Sequence, residues 1–462
     1  MLPRSALLLG LVGSVACAND QRPNPVKEAF AQAPRALGLG SSVAFRFPSG
    51  AAGDARLYRL PGLDEVAWRF EAGAAPIAYV VGFAGDDDLA YTVTTRDELV
   101  ALDLASGRAR IVDTNVAHAA LGPTGIPHVV HGDGSIATIR HRRPVSWSNG
   151  FSQLPTAVWG ATRNRLLALM AEDEGRSLQL VADGQPPVTS HLPDGDIAVA
   201  MWGDVAAVAT DSGLVILDPS GGSVPRFLAS DTALHLAVFS PSVHRVYAVN
   251  AIGELLAVDP VGLTRLAQLS LPGRARALRS DPLGRLLLVQ PMVGDSIWIV
   301  DLAQWMLAGT IPGSWDQHLP VIAPDGTILL WRGQQIVAFS YDSLGVVGTV
   351  QDSEPDRWMP IAWDPRRPAL EFAQQEVLAA APPSQLIYIQ MSSTSNQEWA
   401  EDLANNLRRA GIAASVLPPT ELDERFRVVL GPYPNREEAE AFRRRLNMPS
   451  WIYIRDTTRT TP

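Results

Sequence analysis

The stretch "ELVALDLASG", Glu98 to Gly107, decides the fold because it recurs. Three or four apolar residues lead to an Asp and a turn, and the order returns in "GLVILDPSGG" from Gly213, "ELLAVDPVG" from Glu254 and "SIWIVDLAQ" from Ser296. Weaker copies start at Ala55, Ser135, Ser177 and Gln335, which sets the starts roughly 36 to 44 residues apart. Such a period, with about four short strands per unit, predicts the blades of a β-propeller. A second marker keeps the same phase. An apolar strand and a Pro- or Asp-rich turn precede each unit, as in "AVFSPSVHRVYAV" from Ala237, "ALRSDPLGRLLLV" from Ala277 and "VIAPDGTILLW" from Val321. These apolar runs suit strands buried on both faces between stacked blades. Asp103, Asp218, Asp259 and Asp301 then read as hairpin-closing residues that cap turn amides.

The ends of the repeat predict how the ring shuts. "SVAFRF" from Ser42, "ARLYRL" from Ala55 and "EVAWRF" from Glu65 supply only three strands of a blade. The missing inner strand is expected at the far end, in "WMPIAWDP", Trp358 to Pro365, which would leave no free sheet edge. The count is about eight four-stranded blades, with seven as the alternative. The unit "ELVALDLASGRARIV" resembles the pyrroloquinoline-quinone-type (YVTN-like) propeller repeat, with Val112 where that repeat usually ends in Trp. The resemblance implies fold and no active site.

Chemistry is sparse along this region. "GDDDL", Asp86 to Asp88, reads as a solvated loop, and His128, His131 and His141 lack the spacing of metal ligands. No nucleophile elbow or phosphate loop occurs. No catalytic residue, cofactor or metal is therefore expected. A net charge of −10 excludes a basic field for nucleic acid.

The N-terminus "MLPRSALLLGLVGSVACAND" combines Arg4, an apolar run and small residues, as a signal peptide does. Cys17, the single cysteine of the chain, follows Ser14-Val15-Ala16, and this resembles a bacterial lipobox although Ser14 stands where Leu is usual. The resemblance implies acylation of Cys17 and a lipid anchor, and Ala18 after it is compatible with the outer membrane. The expected organisation is residues 1–17 signal and lipobox, 18–42 tether, 43–365 propeller, 366–384 linker and 385–457 a second domain.

That last segment changes character. It alternates strand, helix, strand, strand, helix, strand, a small α+β (ferredoxin-like βαββαβ) unit. Trp399, Leu403 and Leu407 form one apolar stripe, and Ala439, Phe442 and Leu446 the other. Asn396 and Asn435 read as helix N-caps, and the third strand is expected to stop at Gly431-Pro432. "RVVLGPYPNREEAEAFRRRL", Arg427 to Leu446, resembles the SPOR (sporulation-related repeat) domain, the bacterial module that binds peptidoglycan glycan strands stripped of stem peptides. "IYIQMSSTS" from Ile387 matches it in part: Gln390 and Ser393 are kept, while Ser392 replaces Gly and Thr394 an aromatic. The resemblance implies ligand contacts at Gln390, Ser393 and Arg427, and at the position of Arg425. Strand alternation places Tyr388, Gln390 and Ser392 on one face and Arg425 with Arg427 on one face. In the last strand it offers Trp451 and Tyr453 for sugar stacking while Ile452 and Ile454 pack inward. The chain thus reads as a non-enzymatic envelope lipoprotein that docks on peptidoglycan, with division sites as the expected place. Its propeller would present a platform to an unidentified envelope protein. A propeller-lipoprotein scaffold for outer-membrane assembly is the alternative.

Overall fold

The structure, a computed structural model, describes residues 42–363 and 385–456 apart from short internal stretches. The expectations for Cys17, the leader, nearly all of the tether, the linker 366–384, Asp86, Asp87 and Asn396 lie outside the described residues. Among the described residues nine four-stranded antiparallel sheets form, one of them in the C-terminal segment, which leaves eight blades. In chain order blade 1 holds residues 42–71, blade 2 77–113, blade 3 116–150 and blade 4 157–192. Blades 5 to 8 hold 196–229, 234–270, 275–312 and 321–351.

The ring closes as the sequence predicts. Arg357–Ala362 is the innermost strand of blade 1 and pairs antiparallel with Ser42–Phe47, which begins one residue before the expected boundary. The seam is apolar: Val43, Phe45, Phe47, Met359, Ile361 and Trp363 belong to one buried cluster. At one end of it Arg46 donates to Asp356 and Asp352, both at 2.8 Å, and the Ser49 amide donates to Asp356. The repeated aspartates do the turn chemistry expected of them. Asp103 accepts from the Ser106 amide, Asp218 from Ser220, Asp259 from Val261, and Asp301 from Ala303 and Gln304.

Side chains on inner strands and turns bond neighbouring blades together. Arg357 donates to the Ala78 carbonyl, and His235 Nε2 donates to the Ala275 carbonyl. Asp196 accepts from the Ala237 amide across the boundary between blades 5 and 6. Arg285 does most. It forms a buried ion pair with Asp281 at 2.7 Å and donates to the Ala323 and Pro324 carbonyls of blade 8. Each bridge satisfies a polar group that burial would otherwise leave costly.

Two of the three clustered histidines have structural partners, and His141 is exposed. His128 is buried beside Thr138 and Trp147, and burial, the main cause, pulls its pKa down to about 4. His131 meets Asp113 at 3.0 Å. Among the described residues no group of three or more possible ligands is arranged for a metal.

A buried charge is tolerated only while it is paired. Arg285→Met should leave Asp281 uncompensated and lower stability by about 3–5 kcal/mol. Urea unfolding checks this, and Asp281→Leu added to Arg285→Met should recover a large part of the loss.

Candidate glycan-binding face

The C-terminal unit comprises β1 (Gln385–Thr394), α1 (Gln397–Arg409), β2 (Ala414–Leu417), β3 (Phe426–Tyr433), α2 (Arg436–Leu446) and β4 (Trp451–Asp456). Its sheet runs β2-β3-β1-β4. Both apolar stripes read from the sequence pack on the same side. Trp399, Leu403, Leu407, Ala439 and Leu446 share a core with Ile389, Met391, Val428 and Leu430, and Phe442 packs against it. Asn435 caps α2 as expected. The Glu438 amide donates to its side chain at 2.8 Å, and its own Nδ2 donates back to Glu438, a reciprocal cap.

Two bulges set the faces. β3 does not stop at Gly431, as expected, but bulges there and continues to Tyr433, whose ring lies 5.7 Å from Phe442. Gly431 has φ +110, and a Cβ there would stand 2.8 Å from the Tyr433 ring, so only glycine fits. On β1 the pairing runs Ile389↔Leu430, Gln390↔Val429, then Ser392↔Val428 and Ser393↔Arg427. Met391 is the extra residue, and the alternation slips by one. Ser392 therefore sits on the helix side with Val428, contrary to simple alternation, while Ser393 faces Arg427 on the open side. Simple period-2 reading fails here because the extra residue on β1 shifts the phase of every side chain after it.

The open face gathers most of the expected residues. Arg427 Nε donates to Gln390 Oε1 at 3.0 Å, and its guanidinium carbon lies 4.5 Å from the centre of the Tyr453 ring. Tyr453 is paired with Tyr388, ring centres 6.4 Å apart, and Trp451 with Gln390. Gln390 is 5% exposed beneath a rim of half-buried Arg427, Ser393 and Tyr453 and of exposed Trp451. The Gln390 carbonyl is already engaged, which leaves its NH2 to donate to a hydroxyl or N-acetyl oxygen. Burial raises the Tyr388 pKa, partly offset by Arg455, so the phenol stays a neutral donor. Arg425 is exposed just before β3 and stands apart from this cluster. Ile452 packs inward as expected, while Ile454 is exposed.

The opposite side meets the propeller, which the sequence reading missed. Leu283 of blade 7 joins the core of the C-terminal unit, with Val243 of blade 6 packed against it. His244 bonds Ser392 through Nε2, and its ring lies 5.1 Å from that of Trp399. The one local hint is apolar Val243 and Leu283 in turns where polar residues are usual, and it names no partner.

The chain is thus an eight-bladed β-propeller carrying a small two-layer α+β unit that meets the ring through α1 and the end of β1. Residues 383–453 match the SPOR domain model, so that unit is a SPOR domain. A SPOR domain is a peptidoglycan-binding module, which associates the chain with the cell envelope. Apo AztD from Citrobacter koseri is similar in fold, with a TM-score of 0.51 at 10% identity over 70% of this chain and 98% of that one. The dihydro-heme d1 dehydrogenase NirN in complex with DHE gives 0.50 at 15% identity, over 73% of this chain and 78% of its own. At these identities both likenesses speak for the fold alone. The comparison with curated proteins returns no match.

His244 ties pH to the contact between the two units. Its pKa falls from 6.5 to about 4, first through burial and further through Arg245 and Arg425, against Asp259. A depressed folded-state value means that the stabilisation is complete above about 6.5 and is lost as pH falls towards about 4. Hydrogen exchange in residues 240–245 and 397–409 should therefore rise over that window, and His244→Phe should flatten the rise.

Proposed function

We propose that the protein is a non-enzymatic, lipid-anchored component of the bacterial envelope whose SPOR domain grips glycan strands freed of stem peptides. The observation that carries this reading is the Gln390–Arg427–Tyr453 cluster on the sheet face turned away from the propeller. Its chemistry suits such a polymer. Arg427 offers charge to lactyl carboxylates released from peptide, Gln390 and Ser393 offer donors to hydroxyl and N-acetyl groups, and Tyr453 and Trp451 offer faces to sugar rings, with Tyr388 buried beneath Tyr453 as support. No helix among the described residues is long and apolar enough to cross a membrane. In this reading acylated Cys17 supplies the attachment, and one acyl chain alone would be marginal. The propeller then serves as a platform for an envelope protein. Division sites are the expected location, because amidases strip the stem peptides there. Tethering at one end raises the effective concentration of the other, so a weak glycan affinity suffices.

Co-sedimentation of the purified protein with amidase-treated and untreated sacculi tests the reading. Treated sacculi should retain the protein more strongly, and Arg427→Ala combined with Gln390→Ala should weaken retention more than tenfold with the melting temperature preserved. Equal retention on both kinds of sacculi, or by the double variant, defeats it.

A further inference from the structure

The glycan face depends on a piece of strand that its own sheet supports on one side only. β1 pairs with β4 from Gln385↔Asp456 to Gln390↔Trp451 and no further. Beyond Gln390 the strand keeps β3 alone, and there the bulge at Met391 interrupts the ladder. An interrupted ladder with a single neighbour is a segment that opens locally at little cost. Yet this segment sets the face. Gln390 and Ser393 share a side with Arg427 only while Met391 remains the extra residue. A slip of one position would turn Ser393 to the helix side.

Both residues of the bulge are held by the ring. Met391 is buried and shares an apolar cluster with Leu283 of blade 7, and Val243 of blade 6 packs against that cluster. Ser392 is fully buried and bonds His244 Nε2 through its hydroxyl, while the His244 ring lies 5.1 Å from that of Trp399 on α1. Ser392 is also a position where the sequence departs from the SPOR pattern, which has Gly there. A glycine would have no hydroxyl to offer the ring.

The two ring turns are rigid mounts. In turn 240–245 the Ser240 amide donates to the Arg245 carbonyl and the Val243 amide to the Ser240 carbonyl, both at 2.9 Å. In turn 281–285 Asp281 accepts from the Leu283 amide at 3.3 Å and from the Arg285 amide at 2.9 Å, and Arg285 ties the turn to blade 8. A site keeps its geometry when the groups behind it are themselves fixed.

We propose that the propeller is part of the glycan site. Turns 240–245 and 281–285 hold the Met391–Ser392 bulge in phase, and His244 is a positioning residue that acts on Gln390 and Ser393 through Ser392. The ring is then more than a platform for a partner, because glycan affinity depends on the SPOR domain being seated on it. The inference rests on the outer sheet face being the glycan site and adds the ring to what shapes that face.

Hydrogen exchange read by mass spectrometry, together with co-sedimentation on amidase-treated sacculi, tests this on the full chain. Ser392→Ala removes the hydroxyl, His244→Leu removes its partner, and Leu283→Ser puts a usual turn residue in place of the apolar tip. Each should raise exchange in residues 387–394 and 426–430 about tenfold and lower retention about fivefold, while residues 436–446 and the central strands of the blades keep their protection. His244→Gln, which keeps a polar nitrogen for Ser392, should restore both readings. Ser392→Ala added to His244→Leu should cost no more than either alone. Unchanged exchange in residues 387–394 overturns the proposal whatever the sacculi do, and full retention alongside raised exchange overturns it too. Failure of the unmutated protein to prefer treated sacculi defeats the glycan reading instead, and exchange alone then decides whether the ring holds the strand.

Discussion

Everything in the ring rests on one pairing, that of Arg357–Ala362 with Ser42–Phe47. A propeller blade cannot bury both of its faces alone; each sheet needs a neighbour on either side. Closing the circle gives every blade two neighbours, and it does so by joining strands about 300 residues apart in sequence, at a loop-closure cost that grows only slowly with length. Once the seam is made, the bridges from Arg357, Asp196, His235 and Arg285 bind successive blades through groups that would otherwise be buried unsatisfied. With one cysteine in the whole chain, no intramolecular disulfide shares this work.

The SPOR domain depends in turn on a single extra residue. Met391 breaks the alternation of β1, so that Gln390 and Ser393 share the outer face with Arg427 while Ser392 turns towards the ring and meets His244. One strand thereby serves two surfaces of different chemistry. Its outer side is polar and aromatic and suits a hydrated polymer. The inner side packs on apolar helices and, beyond them, on two propeller turns.

Much of this was legible in the sequence, and the limits have physical causes. The repeat and its aspartates were readable because each blade must solve the same turn problem with the same residues, and the three orphan strands at the start announced the closing strand. The helix stripes and the Asn435 cap followed from spacing. The phase slip at Met391 and the continuation of β3 past Gly431 were not readable, since a bulge is selected by tertiary packing and adds no residue type of its own. Val243, His244 and Leu283 read locally as parts of turns. Their meeting with Trp399 and Ser392 joins positions some 100 to 150 residues apart, and no local pattern carries that. Arg425, carried over by resemblance, shares the sign but not the position of the cluster around Arg427.

The seam has a mechanical side. Ser42 stands opposite Ala362, so the chain enters and leaves the ring at the same end of one antiparallel pair. Tension between the two departing segments would not shear that ladder but peel it, loading Ser42 and Ala362 first, then Val43 and Ile361, one rung after another. Peeling geometry yields at much lower force than shear. The resistance comes at the far end, where Arg46 is clamped by Asp352 and Asp356. A stretched envelope would thus find in this closure a fuse, with its rivet set four residues in.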